Sequence, residues 1–438
     1  MNYRGREITK DIFYAALKAV DPYASVQHHI PHILSTYQNG RFNNLFLVSF
    51  GKAAFLMAKA ISDQAPQLVT HGIVITKYGH LLAENLHANI DLYEAGHPIP
   101  DENGLIATKK AISMLKVADE KTLVLCLISG GGSALLTAPK GMISLDDKQK
   151  ATELLLKAGA SINELNTVRK HISEIKGGRI AEYAYPARII SLILSDVIGD
   201  QLDVIASGPT TPDSTTYRMA HDVVEKYQLA EKLPKKVLDV LKKGVEGVFP
   251  DNPKEGNHIF EGVENIIIGS NRKAALAAME KAKELGFDAT IISTEIQGEA
   301  IDVACWLARN AIEAKQLLKE KDGKKICLIS GGETTVTVKG NGKGGRNTEL
   351  ALAFALEVAG KKDIVLLSAG TDGTDGPTDS AGAIVTGETI ERAPSLKLDP
   401  RAYLVNNDSY TFFSKTGELL ITGPTGTNVM DLQIILIG

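Results

Sequence analysis

The chain has 438 residues, 44% of them hydrophobic, with a net charge of −4 and a pI near 6.2. Such a length suggests two or three domains at roughly 150 residues each, and the charge excludes a dedicated nucleic-acid binder, which needs a basic face. Three cysteines without a Cys-x-x-Cys pair exclude a disulfide framework and a cysteine-rich zinc site. The opening stretch has no apolar segment followed by a small-residue cleavage site. No apolar run reaches the roughly 18–20 residues of a membrane span. A cytoplasmic protein with no membrane or nucleic-acid partner is expected.

The first notable cluster, HHIPH (His28, His29, His32), reads as a helix end broken by Pro31 rather than a metal site. Continuous apolar runs follow at 44–50 (NLFLVSF), 72–76, 89–95, 122–129 (TLVLCLIS) and 188–195. Runs without alternation suit strands covered on both faces. Between them, one helix opens at Ser144 with Asp147 as box partner and ends at Gly159; another opens on a Ser161-x-x-Glu164 box. This alternation predicts a parallel, three-layer α/β sheet. Charge, proline and glycine rise over 231–262, which places a boundary near 250–258 and domains at 1–250 and 258–438. The second half restarts with strands at 264–270, in ATIIST and at 325–330, with a long helix to about 320. Alternation in ETTVTVKG predicts a half-exposed antiparallel strand. Runs at 363–369, AYLVN and MDLQIILIG complete a second, mixed α/β sheet.

The hexapeptide CLISGG occurs twice, at 126–131 and 327–332. Its flanks diverge at once, so it reads as a shared local device, a buried strand ending in Ser-Gly-Gly, and not as a domain duplication. Ligands of open α/β sheets bind beyond the carboxyl ends of the strands. After the first copy, Ser129, Gly130, Gly131, Gly132 and Ser133 form a loop suited to cradling phosphate or carboxylate. After the second comes Glu333, whose charge repels phosphate and suits Mg²⁺ or a structural role. Gly340-x-Gly342-x-x-Gly345 fits a dinucleotide fingerprint in form but lacks the acid about twenty residues on. Lys343 and Arg346 favour an anion loop instead, with Arg346 neutralising a transferring phosphoryl group and Asn347 capping the next helix. Asp372, Asp375 and Asp379 lie in an Asp-Gly-rich loop that suits either Mg²⁺ or simple turns. Asp196 closes a buried strand, where a carboxylate can act as a base toward a hydroxyl or bind a metal. Lys52 ends the first strand and faces the ligand edge. His97, between Gly96 and Pro98, is placed to line a small-substrate pocket, and Lys170, with His171, Lys176 and Arg179, is a candidate for anion contact. P-loop and protein-kinase signatures are absent.

The strings VSFGKAAFLMAKA, AGHPIPDENG, LISGGGSALL, LNTVRKHISEIKGGRIA, LSDVIGDQLDVIASGPTTPD, ISGGETTVTVKGNGKGGRNTELALAFA, GTDGTDGPTDSAGAIV and GPTGTNVMDLQIILIG occur in that order. Together they resemble the glycerate 2-kinases, whose C-terminal part carries the MOFRL domain. The resemblance covers essentially the whole chain. It implies ATP- and Mg²⁺-dependent phosphorylation of D-glycerate to 2-phosphoglycerate. It also implies a Rossmann-like N-terminal domain, an α/β C-terminal domain and an active site in the interdomain cleft, with catalytic roles for Lys52, Asp196 and Arg346. The expected partners are D-glycerate and ATP, and a monomer or homodimer is expected. The rival reading is an NAD(P)H-dependent hydroxypyruvate reductase using the Gly340–Gly345 loop; a third is a non-catalytic sugar-acid sensor.

Overall fold

In the computed structural model, which describes residues 2–81, 85–318 and 325–438, the strands form two six-stranded sheets. The first contains β1 (Asn44–Phe50), β2 (Val69–Lys77), β3 (Ile90–Ala95), β4 (Thr122–Ile128), β5 (Arg188–Leu194) and β6 (Val263–Gly269). Their order is β3-β2-β1-β4-β5-β6. β1 pairs in parallel with β2 and β4, β2 with β3, and β4 with β5. Every residue of β4 is buried, as its unbroken apolar run requires of a strand covered on both faces. Met57 and Ile61 of the helix Ala54–Gln64 share a core with Leu47 and Leu125. The strand order reverses between β1 and β4, and that reversal is where a doubly wound sheet opens a crevice beyond its strand ends.

The second sheet contains β7 (Asp288–Ile296), β8 (Ile326–Gly332), β9 (Ile364–Gly370), β10 (Gly382–Thr386), β11 (Leu419–Leu420) and β12 (Asp431–Ile437), in the order β11-β10-β9-β12-β8-β7. β7 and β8 are parallel, whereas β12 runs antiparallel to both β8 and β9. The sheet is therefore mixed, as its sequence suggests.

The chain divides into one unit of residues 22–195 and 200–268 and another of 1–21, 196–199 and 269–438. These limits differ from the expected 1–250 and 258–438 in three ways, the shortest being that 196–199 groups with the second unit. β6 follows the composition shift yet completes the first sheet. The helix Asn2–Ala19 belongs with the second sheet: it buries Thr9, Ile12, Phe13 and Ala16, a stripe at helical spacing, and packs on the helix Asn271–Glu284, β9 and β12. Composition along the chain carries no record of which sheet a helix covers.

Three local expectations are corrected. Pro31 lies inside the helix Pro22–Asn39 and does not end it. ETTVTVKG forms no strand beyond one bridge between Thr335 and Glu299. The Glu299 carboxylate instead accepts from Thr335 Oγ1, Thr337 N and Thr337 Oγ1, so one side chain satisfies groups that a neighbouring strand would have paired. The AYLV of AYLVN lies in the helix Pro400–Val405, which Asp399 caps, its proline starts and Asn406 ends. Both expected capping boxes, Ser144 with Asp147 and Ser161 with Glu164, are present. Among the described residues no helix is long and apolar enough to cross a membrane.

Candidate active site

At the β1–β4 reversal, two strand ends are stapled together. Ser129 is buried, and its Oγ accepts from Ala53 N at 3.1 Å, while Lys52 N donates to Gly130 O at 2.8 Å. Ser129 thus clamps the two strand ends together. Gly51 adopts φ +124°, and a Cβ there would lie 2.2 Å from Ser129 Oγ, so the staple needs glycine. Gly131, at φ +79°, sits beneath two side chains: a Cβ on it would meet His97 at 2.9 Å and Lys52 Cγ at 3.3 Å. Lys52 and His97 therefore converge over one glycine at the end of β4. Burial, then Lys52, Lys77 and His80, lower the His97 pKa to about 4. At neutral pH it is an uncharged hydrogen-bonding group beside a lysine.

Ser133 continues this surface. Its Oγ lies 2.9 Å from Ser207 Oγ, and Ser207 Oγ donates to Asn166 Oδ1 at 3.2 Å. Ala206, Ser207 and Gly208 all have positive φ, so this support is held in backbone that non-glycine residues rarely adopt. Lys176 donates from Nζ to Ser133 O and Oγ at 2.8 and 3.0 Å. A cavity of about 550 Å³ opens here, lined by Gly131, Ser133 and His97 and by the basic side chains Lys148, Arg169 and Lys176. Burial pulls the Lys148 pKa down to about 7, with Arg169 adding to the effect. Burial, with Lys148 and Arg169, holds Lys176 well below its ordinary value. Lys148 was not singled out in the sequence, yet the signal was there. It shares the buried face of its helix with Leu145, Ala151 and Leu155, a lysine at a core position. Lys170 is different: it is buried and ion-paired with Asp203 and Asp213 at 3.4 and 3.3 Å, which satisfies its charge inside the protein and leaves it off this surface.

The end of β8 carries the second hexapeptide and an opposite arrangement. Arg346 donates from Nε and Nη2 to Asp431 at 2.6 and 2.9 Å and from Nη1 to Glu333 at 2.5 Å. Burial works against its charge, but Asp431 and Glu333 outweigh that and raise its pKa. Burial raises Asp431 to about 6 despite Arg346. Asp431 also escaped the sequence reading; its signal is an acid opening a fully buried strand.

The Gly340–Gly345 loop does not present its backbone as an anion cradle. Lys339 N and Gly340 N donate to Asn407 Oδ1, Asn341 N to Asn406 Oδ1, and Lys343 N to Asp408 Oδ1. A Cβ on Gly340 or Gly342 would strike residues 406–408, and one on Gly345 would strike Asp375. These glycines answer to protein packing. Lys343 Nζ rests 4.2 Å from the centre of the Tyr410 ring. The cap of the helix Arg346–Glu357 is Asp375, which accepts from Asn347 N and Thr348 N, and not Asn347, whose Oδ1 accepts from Ser368. Asp375 is thereby taken up structurally. Asp372 accepts from Thr374 in a tight turn, and Asp379 accepts from Tyr410. Asp196 follows β5 and is half-buried; it falls in the same unit as Arg346, while Lys52 and His97 fall in the other. Among the described residues no group of three or more His, Cys, Asp or Glu side chains is poised around a metal position.

A family model described as a domain of unknown function, DUF4147, matches residues 8–242, and the MOFRL family model matches 326–431. The chain is 44% identical to the D-glycerate 2-kinase of Thermotoga maritima over 99% of this chain and 98% of that protein. It is 40% identical to the glycerate 2-kinase of Pyrococcus horikoshii over 99% and 97%. A relative from Agrobacterium vitis, 38% identical over 99% and 94%, carries a provisional hydroxypyruvate reductase name. The crystal structure of a glycerate kinase from Thermotoga maritima superposes with a TM-score of 0.89 and covers 99% of each chain. On near-complete coverage at these identities, the chain belongs to the glycerate 2-kinase family.

Proposed function

We propose that the protein transfers the γ-phosphoryl group of ATP to the 2-hydroxyl of D-glycerate, giving 2-phosphoglycerate and ADP. Within this family, the observation that carries the reading is the convergence of Lys52 and His97 over Gly131, opening on a cavity walled by cations. The 2-hydroxyl oxygen forms the new bond to phosphorus as the bond to the bridging oxygen of ADP breaks. Asp196 takes the hydroxyl proton. Lys52 and the Arg346 guanidinium stabilise charge on the phosphoryl oxygens, and neutral His97 orients the acceptor by hydrogen bonding. Such a transfer needs chiefly positioning and electrostatics.

Mg²⁺ would neutralise the β- and γ-phosphates when bound. It is commonly held by one or two carboxylates plus substrate phosphates. Glu333, 44% exposed with one oxygen on Arg346, and Asp372, half-buried with one oxygen on Thr374, fit that requirement. Asp375, with both oxygens on the helix start, does not.

The reductase reading lacks its loop. In a sheet of this order the dinucleotide fingerprint belongs to the turn after β1. Here that turn is Gly51-Lys52-Ala53, with one glycine and a cation. Release of ADP that depends on D-glycerate is the expected result. NADH oxidation by hydroxypyruvate without ATP would replace this reading with the reductase.

A further inference from the structure

The cavity beside Ser133 has the construction of a receptor for several negative charges. Lys148 and Lys176 line it and are only 4% and 1% exposed. The hydrogen-bond acceptors of both are neutral: Thr137 Oγ1 for Lys148, and Ser133 O and Oγ for Lys176. Arg169 stands on the same wall, and among the described residues no carboxylate pairs with these three cations. The acid of the lining, Glu153, is held by Lys157 at 2.5 Å. Burial disfavours the charged form of both lysines, so they take up protons most readily when a ligand brings the opposite charge.

The size and lining of the cavity narrow the ligand. At about 550 Å³ it lies within the roughly 300–1,000 Å³ of sites that enclose drug-sized ligands, far more than a three-carbon acid fills. Three basic side chains also exceed what one carboxylate needs. Ile99 and Leu156 of the lining are 66% and 56% exposed, and Pro98 and Pro100 add further apolar lining. A flat heteroaromatic base would cover these apolar surfaces.

Resting on the phosphotransferase reading above, we propose that this cavity holds the nucleoside triphosphate, with Lys148, Arg169 and Lys176 on the phosphate chain and Ile99 and Leu156 flanking the base. The γ-phosphoryl end then points to Ser133 and Gly131, where Lys52 and His97 meet.

The test is calorimetric titration of the full chain with ADP and with inorganic tripolyphosphate, beside steady-state kinetics, for Lys148→Met and Leu156→Asp. Lys148→Met should weaken both ligands and raise KM for ATP by about tenfold or more, the effect of losing one charge-assisted contact, while KM for D-glycerate changes less than about twofold. Its ligand-free Tm should rise, because an uncompensated buried charge is gone. Leu156→Asp, at an exposed position, should weaken ADP and leave tripolyphosphate binding nearly unchanged. Unchanged ADP affinity in both variants would overturn the proposal. So would a rise in KM confined to D-glycerate, which would give the cations to the acceptor's carboxylate. Failure of the wild-type protein to phosphorylate D-glycerate would overturn the function instead, and the ADP titrations would still decide the cavity.

Discussion

The two CLISGG copies end two buried strands and support opposite electrostatics. Beyond β4, cations line a cavity and meet only neutral acceptors. Beyond β8, the cation Arg346 is clamped between Asp431 and Glu333. The shared hexapeptide supplies the strand and its turn. The residue that follows, Gly132 in one copy and Glu333 in the other, together with side chains brought from distant helices, supplies the charge. One strand end gathers basic side chains around neutral acceptors; the other holds a guanidinium fork in a fixed orientation by a bidentate bond to a buried acid.

Breaking either end tests this contrast. The largest expected effect is on turnover: Lys52→Ala and Arg346→Ala should each lower kcat by about 10²–10³, as for the loss of a preorganised charge-stabilising donor. Arg346→Lys should recover little, because an ammonium cannot span Asp431 and Glu333 as the fork does. Steady-state kinetics with ATP and D-glycerate reads both. Near-normal turnover in Arg346→Ala would remove it from the chemistry.

The next effect is on stability. Asp431→Asn leaves a largely buried guanidinium with one carboxylate partner and should cost about 3 kcal/mol. Chemical denaturation would measure it.

A smaller effect separates the two ends by pH. Lys148 has a folded pKa near 7 against an ordinary value of 10.5. Between these values the unfolded chain binds more protons than the folded one, so this group makes ligand-free stability rise as pH increases from about 7 toward 10.5. Lys148→Met should flatten the rise. An unchanged slope would mean that Lys148 is not held in a low-dielectric site. The smallest effect is that of Ser129→Ala, which removes the hydrogen bond from Ala53 N and should cost about 1 kcal/mol in denaturation.

Much of this was legible in the sequence. Apolar runs located the first five strands of the first sheet, and the Ser144 and Ser161 boxes located two helix starts, because those signals are local. Lys52 and the Gly131 loop could be placed at strand ends for the same reason. The remainder depends on contacts distant in sequence. The amides of Gly340, Asn341, Gly342 and Lys343 are bonded by residues 406–408, so a loop that looks open to phosphate is largely closed by a distant segment. Asp375, 28 residues from Asn347, caps the helix that follows that loop. ETTVTVKG alternates like a strand, but Glu299 offers its polar groups a competing partner. The docking of the helix Asn2–Ala19 on the second sheet leaves no mark beyond its amphipathic stripe. Lys148 was readable in principle, since a lysine on the apolar face of a helix is unusual enough to question.

The central claim is that this chain phosphorylates the 2-position of D-glycerate. Phosphorus-31 NMR of the product formed from ATP and D-glycerate tests it most directly. The account predicts a phosphate coupled to the proton on C2. A phosphate on C3, or no new phosphoester while ATP and D-glycerate are both present, would contradict it.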